Sequence, residues 1–212
     1  MLITMELDLA SIGMVKGRQY ETIITTKNSD GTSNAAPIGI LYAGGNIVLS
    51  RIFKGSHTLD NIVENREYTV NITHDPELFM LSTLGNLDGE CFSEDNSLKD
   101  ADAYFECKVI SLKEAVKQSD PIKKKDEAIV IKSEVTELVI KNNAKAYNRG
   151  FGYVIETLSN LSRFDLVDEA QKQYYLDRFR EAKRIVNKVG YTQDIKAMNE
   201  IKKELVKKGY EP

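Results

Sequence analysis

The chain has little of what most catalytic and metal sites are built from. Among its 212 residues are two cysteines, Cys91 and Cys107, and two histidines, His57 and His74. None of these stands at a spacing that would gather a metal ion, and both thiols read as reduced groups in or near the core, on what look like different strands. There is no phosphate-loop signature, no Gly-x-Ser-x-Gly elbow and no His-Glu-x-x-His pair. The glycine pair that comes nearest to a dinucleotide fingerprint, Gly150-Phe151-Gly152, has no strand in front of it. Ser56 beside His57 is not a dyad, because neighbours on a helix point in different directions. Long apolar runs are also missing, none approaching the ~20 residues that span a bilayer, so a membrane is not an expected partner. The start, Met1-Leu2-Ile3-Thr4-Met5-Glu6, lacks the basic and apolar regions of a secretion signal, and the expected location is cytoplasmic. With 29 Lys and Arg against 32 Asp and Glu, the net charge is −3, which argues against nucleic acid as a partner. The short run Lys123-Lys124-Lys125 has no aromatic interleaving and reads as solvated surface.

What is present describes a globular chain, 42% hydrophobic and 29% charged, long enough for one sizeable core and a smaller appendage. Residues 20–139 read mostly as strand. Tyr20 to Thr26 is β-branched, Asn28-Ser29-Asp30-Gly31 supplies a turn, and Ser33 to Tyr42 is expected to return antiparallel as a hairpin. A second turn at Gly44-Gly45 leads to a strand beginning at Asn46. A helix is expected over 57–65, a strand from Glu67 to Thr73, and a second helix after the cap Asp75-Pro76. Tyr104 to Leu112 and Ala128 to Ile140 are further strands, joined by a polar segment over 113–127 that reads as an exposed loop or a long hairpin end. Beyond Asn142 the period becomes helical. Tyr147, Phe151, Val154, Ile155, Leu158 and Leu161 share one face of a helix over about 144–162, Asp168 to Lys188 forms a long amphipathic helix ended by Gly190, and Thr192 caps a last one. Strands followed by helices, without βαβ alternation, predict an α+β fold with a strand domain over 1–141 and a helical subdomain over 142–212.

Two segments carry chemistry. In Arg51-Ile52-Phe53-Lys54-Gly55-Ser56-His57-Thr58, a strand end runs into a helix start. Helix starts leave about four backbone N–H groups unpaired and carry roughly half a positive charge; here the hydroxyls of Ser56 and Thr58 and the cations of Arg51 and Lys54 converge on that point. The residues describe a phosphate-binding junction, and equally an ordinary N-cap on a surface helix. The second segment, Ser33-Asn34-Ala35-Ala36-Pro37-Ile38-Gly39, puts small residues and a proline in a strand. It describes either backbone left open to a flat heterocycle or an edge strand guarded against aggregation.

Together these segments resemble a known pattern. Asn34-Ala35-Ala36-Pro37, then Lys54-Gly55-Ser56-His57-Thr58-Leu59-Asp60-Asn61-Ile62, then Val70-Asn71 look like the flavin reductase-like, FMN-binding split-barrel superfamily. The tail, with Asn148-Arg149, Ile155-Glu156 and Arg163, further resembles a subgroup of unknown function carrying a C-terminal helical tail. The resemblance spans nearly the whole chain and implies a Greek-key-like antiparallel split β-barrel with a three-helix appendage. It also implies FMN as cofactor, with the phosphate on Arg51, Lys54, Gly55, Ser56 and Thr58. Ala35, Ala36, Pro37 and Ile38 would line the isoalloxazine ring, Ser50 and Phe53 would contact ring or ribityl, and Asn148 and Arg149 would approach the flavin or a partner chain. Homodimers with FMN at the interface follow from the same resemblance. The implied activity is that of an FMN-dependent oxidoreductase with a nicotinamide, NAD(P)H, or another small donor. The alternative is a non-catalytic FMN-binding, storage or sensing protein that docks a partner through its helical tail, whose cationic face carries Arg178, Arg180, Lys183, Arg184 and Lys188. Gly55 stands where the reductases commonly have aspartate, and typical flavin reductases lack the helical tail.

Overall fold

The computed structural model describes residues 7–85, 87–115 and 128–212. Six strands, β1 (Gln19–Lys27), β2 (Ser33–Gly44), β3 (Ile47–Phe53), β4 (Glu67–Ile72), β5 (Ala103–Ala115) and β6 (Ala128–Ile140), close into an antiparallel barrel in the order β1-β2-β3-β6-β5-β4. The period-two pattern of β3 shows why. Val48, Ser50 and Ile52 are buried between less buried neighbours, so one face looks into the barrel and the other out. Ile24, Ile40, Val48, Val70, Phe105 and Ile131 fill the interior from the six strands. The expected hairpin forms in register, Thr26 opposite Asn34, and the Gly31 amide closes its turn on the Asn28 carbonyl at 2.9 Å.

Helix α1 (His57–Asn65) turns Leu59 and Ile62 into the barrel core. Helix α2 (Pro76–Leu84) starts as expected on the Asp75 cap, whose carboxylate accepts from the Glu77 amide. Its Leu78 joins Ile23, Phe92, Leu98 and Ala101 in a smaller cluster outside the barrel. The two packing regions are tied by Asn71, which is fully buried. Its amide donates to the Ile23 carbonyl (3.0 Å) and the Thr25 hydroxyl (3.1 Å) and accepts from the Leu98 amide (2.7 Å).

A second compact unit begins at Asn148. Helices α3 (Gly150–Ser162), α4 (Glu169–Val189) and α5 (Thr192–Lys207) enclose Val154, Phe164, Leu176, Phe179, Val186 and Met198. A Cβ on Gly150 would lie 2.7 Å from Gly190 Cα, so α3 begins with a glycine because the end of α4 passes against its backbone. Gly150-Phe151-Gly152 is therefore a packing feature.

Several expectations are corrected. The helix expected from about 144 begins at 150, because 144–147 spends its backbone elsewhere: the Ala146 amide donates to Ile12 and the Tyr147 carbonyl accepts from Glu21. Those bonds keep residues to Tyr147 with the first unit. Thr192 does not cap α5; Tyr191 holds that position, its amide donating to the Asp194 carboxylate at 2.8 Å. Cys91 ends a short 3-10 turn instead of lying on a strand, while Cys107 is on β5, and both are free thiols. Of the expected loop over 113–127, residues 113–115 belong to β5 and the remainder, with the lysine run, lies outside the described residues. Among the described residues no helix is long and apolar enough to cross a membrane.

Candidate functional site

The barrel has a partly opened seam. β2 pairs with β1 from Ser33 to Leu41, but with β3 only from Ile40 to Gly44. Over 33–39, therefore, every second backbone group of β2 turns towards an edge that β3 leaves uncovered. The stretch is too small-chained to close the gap itself. A Cβ at Gly39 would meet the end of the Gln19 side chain, whose amide nitrogen lies 2.2 Å from that position.

At the end of this seam stands the β3–α1 junction. Gly55, at φ +83°, makes the turn that only glycine adopts without strain. Ser56 then caps α1, its hydroxyl accepting from the Leu59 amide (3.3 Å) and donating to the Phe53 carbonyl (3.1 Å). The Leu59 and Asp60 amides close on the Ser56 carbonyl. Among the described residues the His57 and Thr58 amides have no acceptor, which leaves two N–H donors at the positive end of the helix. Lys54 stands next to them, held at 2.8 Å by Glu114 of β5, whose carboxyl is kept below its ordinary range by the hydrogen bond and charge of that ammonium. The Arg51 guanidinium lies 5.2 Å from the centre of the half-exposed Phe53 ring.

A hydrogen-bonded clamp joins the seam to the junction. The Asn34 amide donates to Thr58 Oγ1 (3.0 Å) and Thr26 Oγ1 (3.2 Å), and Asn61 donates to the same Thr26 hydroxyl (2.9 Å) and to Asn28 Oδ1 (2.8 Å). The first residues of β2 are thereby locked to the first turn of α1.

The structure thus gathers Arg51, Phe53, Lys54, Gly55 and Ser56 at the junction, with 34–38 on the adjacent seam. Thr58 is there by its backbone. Its side chain is buried at 3% exposure and committed to Asn34. Ala35 turns its side chain to the cluster around Leu78, whereas Ile38 packs on the barrel core; Pro37 is exposed, and Ala36 shares the Ile38 face by strand alternation. Ser50 is 2% exposed and looks into the barrel, opposite in sense to Arg51 and Phe53. Asn148 and Arg149 belong to the second unit. There the Asn148 side chain accepts from the Gly150 amide (2.8 Å) and donates to the Val189 carbonyl (2.7 Å), capping one helix start and one helix end at once. Arg149 is the N-cap residue of α3. Three participants had no assigned role in the sequence reading. Asn34 and Asn61 stood inside the quoted pattern, a pair of amides flanking the junction, while Glu114 lies 60 residues from Lys54 and carried no local signal.

The model for "Protein of unknown function (DUF447) N-terminal domain" matches residues 20–142, and its companion for the C-terminal part of the same proteins matches 148–203. An uncharacterized protein of Methanocaldococcus jannaschii is 26% identical over 174 residues, covering 80% of this chain and 89% of that protein. The crystal structure of an FMN-bound protein of Methanosarcina mazei, assigned to DUF447, is 30% identical. It covers 92% of this chain and 98% of its own, with a TM-score of 0.53.

Proposed function

The chain belongs to the DUF447 family, and from that premise we propose that it is an FMN-binding flavoprotein working as an oxidoreductase. The observation that carries this reading is the pair of unpartnered amides at His57 and Thr58 at the positive end of α1, with Arg51 and Lys54 in the few residues just before it. A phosphate is the group these donors fit: a dianion needs converging N–H groups and cations and no acid or base. The FMN-bound relative, similar over almost its full length, supplies the identity of the phosphate ester. Lys54, Arg51 and the amides of 57 and 58 would hold the phosphate, and the open backbone edge over 35–38 would take the flat ring.

When bound, FMN supplies the redox chemistry itself, which is why acid–base constellations need not appear in the chain. The chain's own part is to bind and orient. The Asn34–Thr58 bond fixes the distance between seam and junction, and Phe53 presents an exposed apolar face beside them. We extend the proposal to a homodimer with the flavin at its interface, since a flat ligand on an open seam remains half wet unless a second protomer covers it. NAD(P)H is the proposed donor.

A second reading, partner docking by a non-catalytic flavoprotein, is favoured by one observation. Phe151, Ile155 and Leu158 form an exposed apolar row on α3. The cationic face of α4 does less for it, because Arg180 and Arg184 are paired at 2.7 Å with Asp177 and Glu181 of the same helix. The visible spectrum of the purified chain, chromatography of what heat releases, and anaerobic addition of NADH or NADPH test the proposal. Release of FMN, together with bleaching of the protein-bound flavin by either nucleotide, supports the oxidoreductase; bound FMN reduced only by dithionite supports the second reading; a colourless chain that ignores added FMN refutes both.

A further inference from the structure

The barrel wall carries a cavity of about 290 Å³, lined chiefly by β4 and β5 and reaching Thr26 of the clamp, near the lower size of small-molecule sites. It forms where β5 and β6 lose register: Glu106 pairs with Glu137 but Cys107 with Val135, so Thr136 is bulged out of the ladder and lines the opening. Such bulges are common beside binding sites. The lining is strongly acidic, with Glu67, Glu94, Asp95 and Glu106 against Lys27 and Lys108.

Three features suggest that this cavity holds something positive. Glu106 and Glu137 stand directly opposite each other on neighbouring strands, an arrangement that repels unless a cation relieves it. Neither Glu67 nor Glu106 makes a hydrogen bond or ion pair among the described residues. Asn96 lines the same cavity at 8% exposure, and its buried side-chain carbonyl oxygen has no hydrogen-bond partner there, although its backbone is fixed by the Thr25 hydroxyl at 2.6 Å. A buried acceptor of this kind calls for a donor.

The titration pattern agrees. Burial, then Glu137, Asp95 and Glu67, push the Glu106 carboxyl up, whereas Asp95 is held down, against its burial, by hydrogen bonds from Ser93, Tyr104 and Ser97. Carboxyls displaced in opposite senses within one cavity are characteristic of functional sites. A metal ion does not fit, since no group of three His, Cys, Asp or Glu among the described residues converges on a point. The charge is spread over a wall, and an extended cation with several N–H donors matches it.

We propose that this cavity binds a short aliphatic diamine, its ammonium hydrogens shared between Glu67, Glu106 and the Asn96 side-chain carbonyl, with Asp95 contributing charge. Calorimetric titration of the full chain with 1,4-diaminobutane, at constant ionic strength, tests this, with 1,4-butanediol and Mg²⁺ as comparators. The expected result is one saturable site for the diamine and none for either comparator. Glu106→Gln, which keeps shape, should weaken binding at least about tenfold, as loss of one charge-assisted contact does. Glu67→Gln, at the exposed start of β4, should weaken it in the same sense without endangering the fold. FMN affinity should not move in either variant, because neither residue belongs to the seam or the junction. No saturable heat, equal uptake of Mg²⁺, or diamine binding that survives both substitutions would overturn the site, whatever is found for FMN.

Discussion

Lys54→Ala reads the proposed phosphate site most directly. The Lys54 ammonium is the side-chain cation nearest in sequence to the free amides, and it already has a partner in Glu114 at 2.8 Å, with the two side chains 37% and 76% exposed. A charge-assisted hydrogen bond is worth roughly 1.5–3 kcal/mol, and about 1.4 kcal/mol is tenfold in Kd. The low end applies, because the ammonium is partly in water and must leave Glu114 to meet a phosphate. The expected outcome is an FMN Kd raised about tenfold with riboflavin, which lacks the phosphate, changed by less than about twofold. Glu114→Gln should act in the opposite direction, tightening FMN by about two- to fivefold, since it removes both a competitor for Lys54 and a like charge beside the phosphate. In the Lys54→Ala background that gain should shrink, because the competition has gone. Quenching of flavin fluorescence, titrated with FMN and with riboflavin at two salt concentrations, measures the natural chain and the three variants. Equal weakening of both flavins by Lys54→Ala would refute the phosphate assignment. Weaker FMN binding on Glu114→Gln would refute the competition.

Asn34→Ala should differ from Lys54→Ala in kind: by cutting the clamp to Thr58 and Thr26 it loosens seam and junction together, so both flavins should weaken, and a loss confined to FMN would count against the clamp. Asn71→Ala should destabilise the barrel by about 3 kcal/mol in urea unfolding, since the buried Leu98 amide and Ile23 carbonyl each lose a partner at roughly 1–3 kcal/mol; a loss under about 1 kcal/mol would refute that accounting. Asp95 predicts an acid effect. Its folded pKa lies below the unfolded value of about 3.9, so its contribution is fully present above that value and is lost as pH falls towards the folded one. The stability gap between the natural chain and Asp95→Asn should therefore be flat at neutral pH and narrow below about pH 4, and a gap unchanged down to pH 3 would contradict the assignment.

Much of the fold was legible because it is written in local chemistry. The Asn28–Gly31 turn, the Ser56 and Asp75 caps and the Gly190 stop each act within a few residues, and each appears where its residue type requires. The helix start expected near 144 failed for the opposite reason. Tyr147 fits a helical face, but its carbonyl is taken by Glu21, more than a hundred residues earlier, and no pattern around Tyr147 encodes that partner.

The same division runs through the site. Sequence alone determined the junction, because a glycine at positive φ followed by a serine cap must leave the next two amides without acceptors inside their own helix. It also put Ala35, Ala36 and Pro37 in a strand, without deciding between an open seam and a guarded edge. Tertiary structure decided which of these groups are available. Barrel closure turned Ser50 inward and gave the Thr58 hydroxyl to Asn34 and Lys54 to Glu114, while packing within the helical unit set Asn148 to capping two helices. It also left β2 and β3 unzipped below Ile40, the opening on which the proposed ring site depends. Those outcomes rest on which strands pair and where the pairing stops, and that is fixed by packing among residues far apart in the chain.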